Sequence, residues 1–118
     1  MTPVSPSLSD LVDLLGYTAR NHEVVSHNIA NVNTPDFKTL TLGLSDSSAR
    51  DRNAGEAEPL EQRLQVREEE GLNVRIDGNN VDIDRELGRL GKNAILHQTF
   101  TELLSVNLDA YRRAIQLR

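Results

Sequence analysis

The residue types that could carry chemistry are few in this chain. There are three histidines, His22, His27 and His97, and no cysteine. His22 and His27 are five apart and do not share a helix face. A tetrahedral metal site needs three or four convergent ligands, so the histidines are read as partly exposed polar positions along helix seams. A second candidate is the acidic run Asp77-Gly78-Asn79-Asn80-Val81-Asp82-Ile83-Asp84. A calcium loop of the EF-hand type requires glycine at its sixth position and glutamate at its twelfth. Counting from Asp77, those positions hold Asp82 and Gly88. The run therefore reads as a turn followed by a helix cap. No glycine-rich phosphate loop, nucleophile elbow or paired histidine and carboxylate motif appears. No catalytic, cofactor or metal-binding residue is assigned, and an enzyme is not expected.

Composition points to a thin architecture. The 118 residues make one domain, yet they include only two Tyr, two Phe and no Trp. With 37% hydrophobic residues, much of it near the chain ends, a thick core is hard to build. Helix-on-helix packing needs fewer large side chains. A net charge of −5 argues against binding nucleic acid, which takes a basic face to neutralise phosphates. Met1 to Ser9 carries neither the basic segment nor the apolar run of a secretory signal. No stretch reaches the roughly 18 consecutive apolar residues of a membrane span. The expectation is a cytoplasmic protein, or one exported by a route that reads another signal.

Three regions follow along the single unit. The first is a helix over 9–31, with Pro3 and Pro6 keeping the extreme N-terminus irregular. Ser7 and Asp10 resemble a capping box. Its apolar positions Leu8, Leu11, Leu15, Val25, Ile29 and Val32 recur at helical spacing, interrupted by Thr18 and His22. Pro35 requires the helix to stop before it. The middle, 43–76, is flexible or carries a little β-structure. Ser45 to Glu58 is polar, small and charged, and reads as a flexible loop. Leu60 to Glu70 is a short helix or an extended ribbon. Leu72, Val74 and Ile76 alternate with polar residues, predicting one short strand that ends at the Asp77-Gly78 turn. The third region is a long helix over 82–117, with a seam of Ile83, Leu87, Leu90, Ala94, His97, Thr101, Leu104, Leu108, Tyr111 and Ile115. Asp82, Asp84 and Glu86 at its start, with Arg112, Arg113 and Arg118 at its end, complement the helix dipole. At 1.5 Å per residue it runs roughly 50 Å.

The fold class expected is mainly α: long N- and C-terminal helices packed as an antiparallel, coiled-coil-like hairpin. In that arrangement the polar interruptions, Thr18 and His22 in one helix and His97 and Thr101 in the other, fall at about the same level. Val12, Leu14, Val24, Phe100, Leu103, Val106 and Leu117 lie outside the narrow seam. Helices apolar on more than one side bury the extra face against something else, here another subunit. The competing architecture, a small four-helix-like monomer, suffers from a middle region with few apolar residues to contribute.

The turn after the first helix reads Ser-His-Asn-Ile-Ala-Asn-Val-Asn-Thr-Pro-Asp-Phe-Lys, 26–38. It resembles the signature shared by flagellar rod, hook and hook-associated axial proteins. Asn28, Ile29, Ala30, Asn31, Thr34, Pro35 and Lys38 match; Asp36 stands where that signature commonly has Gly, and Phe37 where Tyr is usual. Asp is among the residues that tolerate unusual turn conformations. The 77–84 run, Glu86, and the later stretches Glu102-Leu103-Leu104-Ser105 and Tyr111-Arg112-Arg113-Ala114-Ile115 are similar to the FlgB family of proximal-rod proteins. The C-terminal pattern of the sister FlgC family is absent. The resemblance covers about 20–42 and 77–118, somewhat over half of the chain.

The resemblance implies a structural subunit of the bacterial flagellar basal-body rod, exported without a cleaved signal peptide and polymerised in the periplasm, where packed helices transmit torque from motor to hook. Its implied partners are further copies of itself, other rod proteins, the base-to-rod adaptor and the export gate. The residues expected to carry helix packing and assembly are Leu11, Leu15, Ile29, Leu104, Leu108 and Ile115, while Asn28 to Lys38 sets where the chain leaves the helix. The rival reading is a cytoplasmic two-helix adaptor or a flagellar export chaperone, which shares the acidic charge, the small size and the apolar helical faces.

Overall fold

A computed structural model describes residues 6–45 and 59–117. Helix α1 spans Leu8–Ala30. It starts at a full capping box: Ser7 accepts from the Asp10 amide, and the Asp10 side chain accepts from the Ser7 amide at 2.9 Å. Hydrogen bonding to the Asp10 carboxyl from the Ser7 side chain, and from its backbone amide, holds that exposed group below its ordinary pKa. Asn31 caps the other end, its amide and side chain both donating to the His27 carbonyl. Helix α3, the last element, spans Ile83–Gln116. Asp82 is its N-cap and accepts from the amides of Asp84 and Arg85, satisfying donors that the first helical turn leaves open.

The middle contains β1 (Leu40–Leu44), a single helical turn α2 (Leu60–Arg63) and β2 (Leu64–Glu68). The strands pair antiparallel, with Leu42 opposite Val66. The 60–70 stretch is therefore both things its pattern allowed, a turn of helix and then a ribbon. The strand predicted over Leu72, Val74 and Ile76 does not form. Among the described residues that segment pairs with nothing in the sheet of β1 and β2, and Ile76 already belongs to the turn in which the Gly78 amide donates to the Arg75 carbonyl. The first strand lies instead in Thr39-Leu40-Thr41-Leu42-Gly43-Leu44, where the alternation is just as clear. The loop expected over Ser45 to Glu58 falls, apart from Ser45, outside the described residues, as do Pro3 and Arg118.

Helices α1 and α3 lie antiparallel along a body 67 × 36 × 25 Å across. Thr18 and His97 meet at 2.8 Å, and Asn21 donates to Asn93 at 3.1 Å. The fold class is the expected one, but the seam differs in detail. Thr18 is level with His97, whereas His22 is exposed and Thr101 bonds only back to the His97 carbonyl. On α3 the buried positions are Glu86 and Asn93, while Leu87 and Ala94 are exposed. The seam runs about one residue before the predicted one because polar side chains with partners occupy it. Val24, placed outside the seam by the sequence, is buried beside Val25 beneath Leu40 and Leu42 of β1. Among the described residues no helix is long and apolar enough to cross a membrane.

The two loops that flank this hairpin interlock at Gly78. Its φ is +83°, and a Cβ there would overlap the carboxylate of Asp36, itself at φ +60°. Gly78→Ala is therefore expected to destabilise the protein by more than about 1 kcal/mol, read as a lower urea midpoint. Pairing it with Asp36→Gly should recover part of the loss by removing the clash, leaving the cost of the positive φ.

Candidate functional site

The interior is unusual in its chemistry. Among the described residues, the buried apolar side chains are Leu11, Val24, Val25 and Val81, while the buried polar ones are Thr18, Asn28, Thr39, Ser45, Asn79, Asn80, Glu86 and Asn93. Since a buried polar group without a partner costs roughly 1–3 kcal/mol, the hydrogen bonds of these residues decide whether the fold holds together.

They converge where the 28–38 turn meets the 77–86 run. Asn28, fully buried in the last turn of α1, donates to the Leu40 carbonyl at 2.8 Å and accepts from the Leu40 amide at 2.9 Å. Its carboxamide thus pairs with the start of β1 as a neighbouring strand would. The same Nδ2 donates to Glu86 at 3.0 Å across to α3. Asn79 donates to the carbonyls of Asn31 and Thr34 at 2.9 and 2.8 Å, closing the end of α1, and accepts from the Val81 amide. Asn80 accepts from the amide and hydroxyl of Thr39 at 2.6 and 2.9 Å. Asp36 donates its amide to the Asp77 carbonyl at 2.9 Å. Lys38 caps the contact by donating to the Gly78 carbonyl. Two motifs some 40 residues apart in sequence thus form one polar junction.

An ionic cluster ties the sheet to α3 beside it. Glu69, just after β2, accepts from both Arg85 and Arg89, with Arg89 at 2.8 and 2.9 Å. Arg89 also donates to Glu86 at 3.0 Å, so the chain of contacts runs Arg85, Glu69, Arg89, Glu86, Asn28. The hydrogen bond from Arg89, reinforced by both guanidinium charges, holds the Glu69 carboxyl below its ordinary pKa, and the bond to Glu69 in turn raises that of Arg89.

The residues singled out from the sequence occupy different settings. Of the turn motif, Asn28 is buried, Ile29 is half-buried, Ala30 is exposed and Asn31 caps α1. Thr34 donates to Asn31 and accepts from Asn79; Pro35 lies exposed in the turn. Of the packing residues, Leu11 is fully buried; Leu15, Ile29 and Leu104 are half-buried; Leu108 and Ile115 are exposed. The histidines lie apart: His97 on Thr18, His27 edge-on to Phe37 at 5.6 Å, and His22 in solvent. Among the described residues no group of three or more His, Asp and Glu is placed to hold a metal ion. Sequence reasoning missed Thr39, Glu69, Arg85, Arg89 and Asn93. The spacing of Glu86, Arg89 and Asn93 by three and four is a visible signal, but polar residues at helical spacing ordinarily mark a solvated face.

Asn28→Ala is expected to cost about 2–4 kcal/mol, because it strands both backbone groups of Leu40 and one oxygen of Glu86; chemical unfolding of the purified chain checks this. A folded-state pKa below the unfolded value of about 4.3 means that Glu69 stabilises the fold above that pH and loses its contribution as pH falls through the folded value. Glu69→Gln should therefore be less stable than the parent at pH 7, the difference shrinking as the pH falls below about 4.3, as urea midpoints measured across that range would show.

No protein-family model matches the chain. Among curated proteins it is similar to the flagellar basal body rod protein FlgB of Aquifex aeolicus (strain VF5), 28% identical over 111 residues that cover 88% of each chain. The protein of the same name from Bacillus subtilis (strain 168) is 23% identical over 125 residues, covering 98% of this chain and 97% of that one. The one from Yersinia enterocolitica is 27% identical over 124 residues, covering 88% and 89%. Three organisms thus supply relatives of one name, flagellar basal body rod protein FlgB, each similar to this chain over most of its length.

Proposed function

We propose that this protein is a structural subunit of the flagellar basal-body rod that assembles through the exposed end of α3 and is not an enzyme. The relatives' names support the rod assignment. One geometric observation supports the mode of assembly. With Thr18 level with His97, the ten residues back to Leu8 bring α1 to an end near Asn107. Roughly the last ten residues of α3, about 15 Å, continue beyond it. There Tyr111, Ile115 and Leu117 are exposed, the last two at 73% and 88%. A helix that carries apolar side chains past the helix it packs on, α1, is built to pack on something else.

In this reading the half-buried Leu15 and Leu104 and the buried Leu11 hold the hairpin, and Leu108 and Ile115 make contacts between subunits. The partners are further copies, other rod proteins, the base-to-rod adaptor and the export gate. The chain leaves the cell without a cleaved signal peptide and acts in the periplasmic part of the basal body, carrying torque from motor to hook. Side-by-side helices suit that load, because hydrogen bonds along each helix resist twisting while the seams fix register.

Ile115→Asp separates assembly from folding. Because Ile115 is exposed, the isolated chain should unfold within about 0.5 kcal/mol of the parent, while cells carrying only this variant should lose motility in soft agar and lack the subunit in purified basal bodies. A motile strain with normal basal bodies would overturn the assembly role of this helix end.

A further inference from the structure

On α1, Val12, Gly16, Ala19 and Glu23 follow one another at spacings of four, three and four, and all are exposed. Such spacing sets them in one stripe. Gly16 stands in the interior of the helix, where glycine weakens it relative to alanine. A Cβ added there would meet nothing within 4 Å, so the packing of the single chain gives no reason for the missing side chain. The stripe borders a groove. Gly16, Ala19, Arg20 and Glu23 form one wall, and Glu61 of α2 with Leu64 at the start of β2 form the other. The charged groups of this lining are the carboxylates of Glu23 and Glu61 and the guanidinium of Arg20, which Glu23 holds at 3.1 Å. The groove is low-walled at Gly16, apolar at Leu64 and acidic on balance.

Charge selects what fits it. Among the described residues the two long helices expose several apolar side chains, and most have an acid beside them. Leu8 and Val12 lie next to Asp13, Ile83 and Leu87 next to Asp84, and Ile95 and Val106 on either side of Glu102. Each of these would bring a carboxylate towards Glu23 and Glu61, and like charges brought together at a contact are costly. The end of α3 is different. Leu108, Tyr111, Arg112 and Ile115 share one face and are exposed, and Arg112 is held only at 3.6 Å by Asp109. With Arg113 next to it, this end carries one arginine more than Asp109 balances.

We propose that the groove beside Gly16 receives the end of α3 from a second copy of this chain. Laid antiparallel, Leu108, Arg112 and Ile115 have the same spacing, four and then three, as Glu23, Ala19 and Gly16. Ile115 fills the space over Gly16, Arg112 crosses the small Ala19 to reach Glu23 and Glu61, and Leu108 rests on the stem of Glu23. The groove and the helix end are different surfaces, so the contact is head-to-tail and builds an open assembly rather than a closed pair. Within one chain Thr18 lies opposite His97; in the proposed contact Ala19 lies opposite Arg112, so copies of one orientation are displaced by roughly 24 Å along the helices. That is well short of the 67 Å length of the body, and successive copies overlap side by side. The contact rests on the assembly role given above to the end of α3 and supplies the surface that receives it.

Gly16→Gln tests the groove without touching α3. It places a side chain in open space, so the urea midpoint of the isolated chain should hold or rise. Self-association measured by sedimentation should weaken at least about tenfold, because the groove is then filled. Charge reversal tests the pairing. Arg112→Glu and Glu61→Arg should each associate at least about fivefold more weakly than the parent at low salt. An equimolar mixture of the two should recover the parent's association, because every helix end then meets a groove of opposite charge. Gly16→Gln associating as the parent does, or a mixture no tighter than its components, would overturn the contact. If Ile115→Asp abolishes association while Gly16→Gln and Glu61→Arg leave it intact, the assembly role of α3 stands and this groove falls. A parent chain that stays monomeric at every concentration also removes the groove contact, and the motility of Ile115→Asp cells then decides the role of α3 alone.

Discussion

A single buried carboxamide holds three parts of this molecule in register. Asn28 belongs to α1, completes the backbone bonding of Leu40 at the start of β1, and reaches Glu86 on α3. No apolar residue could replace it, because Leu40 would then bury an amide and a carbonyl without partners. Nor does a longer amide fit the same geometry. A carboxamide alone offers donor and acceptor at the spacing of a peptide group, which is what an opening strand requires. From that point the rest follows. Glu86 is fixed by Asn28, Arg89 by Glu86, and Glu69 by Arg89, so the sheet is roped to α3 on one side while Asn28 binds it to α1 on the other.

The expected architecture was legible because its signals were local. A capping box, a proline stop and two long stretches of helical spacing predict two helices and a turn, and the Asp77-Gly78 pair marks a second turn. The positive φ of Asp36 agrees with the tolerance argued for Asp at a position usually held by glycine. What escaped were features that depend on partners distant in sequence. Leu72 to Ile76 and Leu40 to Leu44 show the same alternation, and only the second has a ladder to join. The seam of α3 was misplaced by about a residue because Leu87 and Ala94 are apolar and Glu86 and Asn93 are not. Side-chain polarity misleads wherever the interior is held by hydrogen bonds, since a buried glutamate reads as a solvated one until Asn28 and Arg89 are seen beside it.

The candidate site divides in the same way. The 28–38 and 77–84 stretches were each recognisable as motifs, but nothing in either says that they touch. Asn79 reads as a turn residue and Asn80 as its neighbour. In space, Asn79 holds the carbonyls of Asn31 and Thr34, just past a helix that ended 49 residues earlier at Ala30, and Asn80 is the partner of Thr39. The two motifs accompany one another because each supplies hydrogen bonds that the other would otherwise lack.

Polar and apolar contacts then do different work along the same hairpin. At the Asn28 end, hydrogen bonds of fixed direction admit one register only, because a shift of either helix by one residue leaves several buried groups unpaired. At the opposite end, among the described residues, α3 runs on past α1 with Tyr111, Ile115 and Leu117 exposed, a surface that tolerates small adjustments in how it packs. A chain arranged in this way has a rigid joint and an adaptable tip. Its own apolar core is small, so burial at the tip adds a large share of the stabilisation available to it, and binding that favours the folded form raises its stability with the concentration of partners. Under the proposed mode of assembly, folding and association are thus linked through α3. In the assembly proposed above, the junction sets the shape of each subunit, and neighbouring chains cover the apolar side chains that the hairpin leaves open.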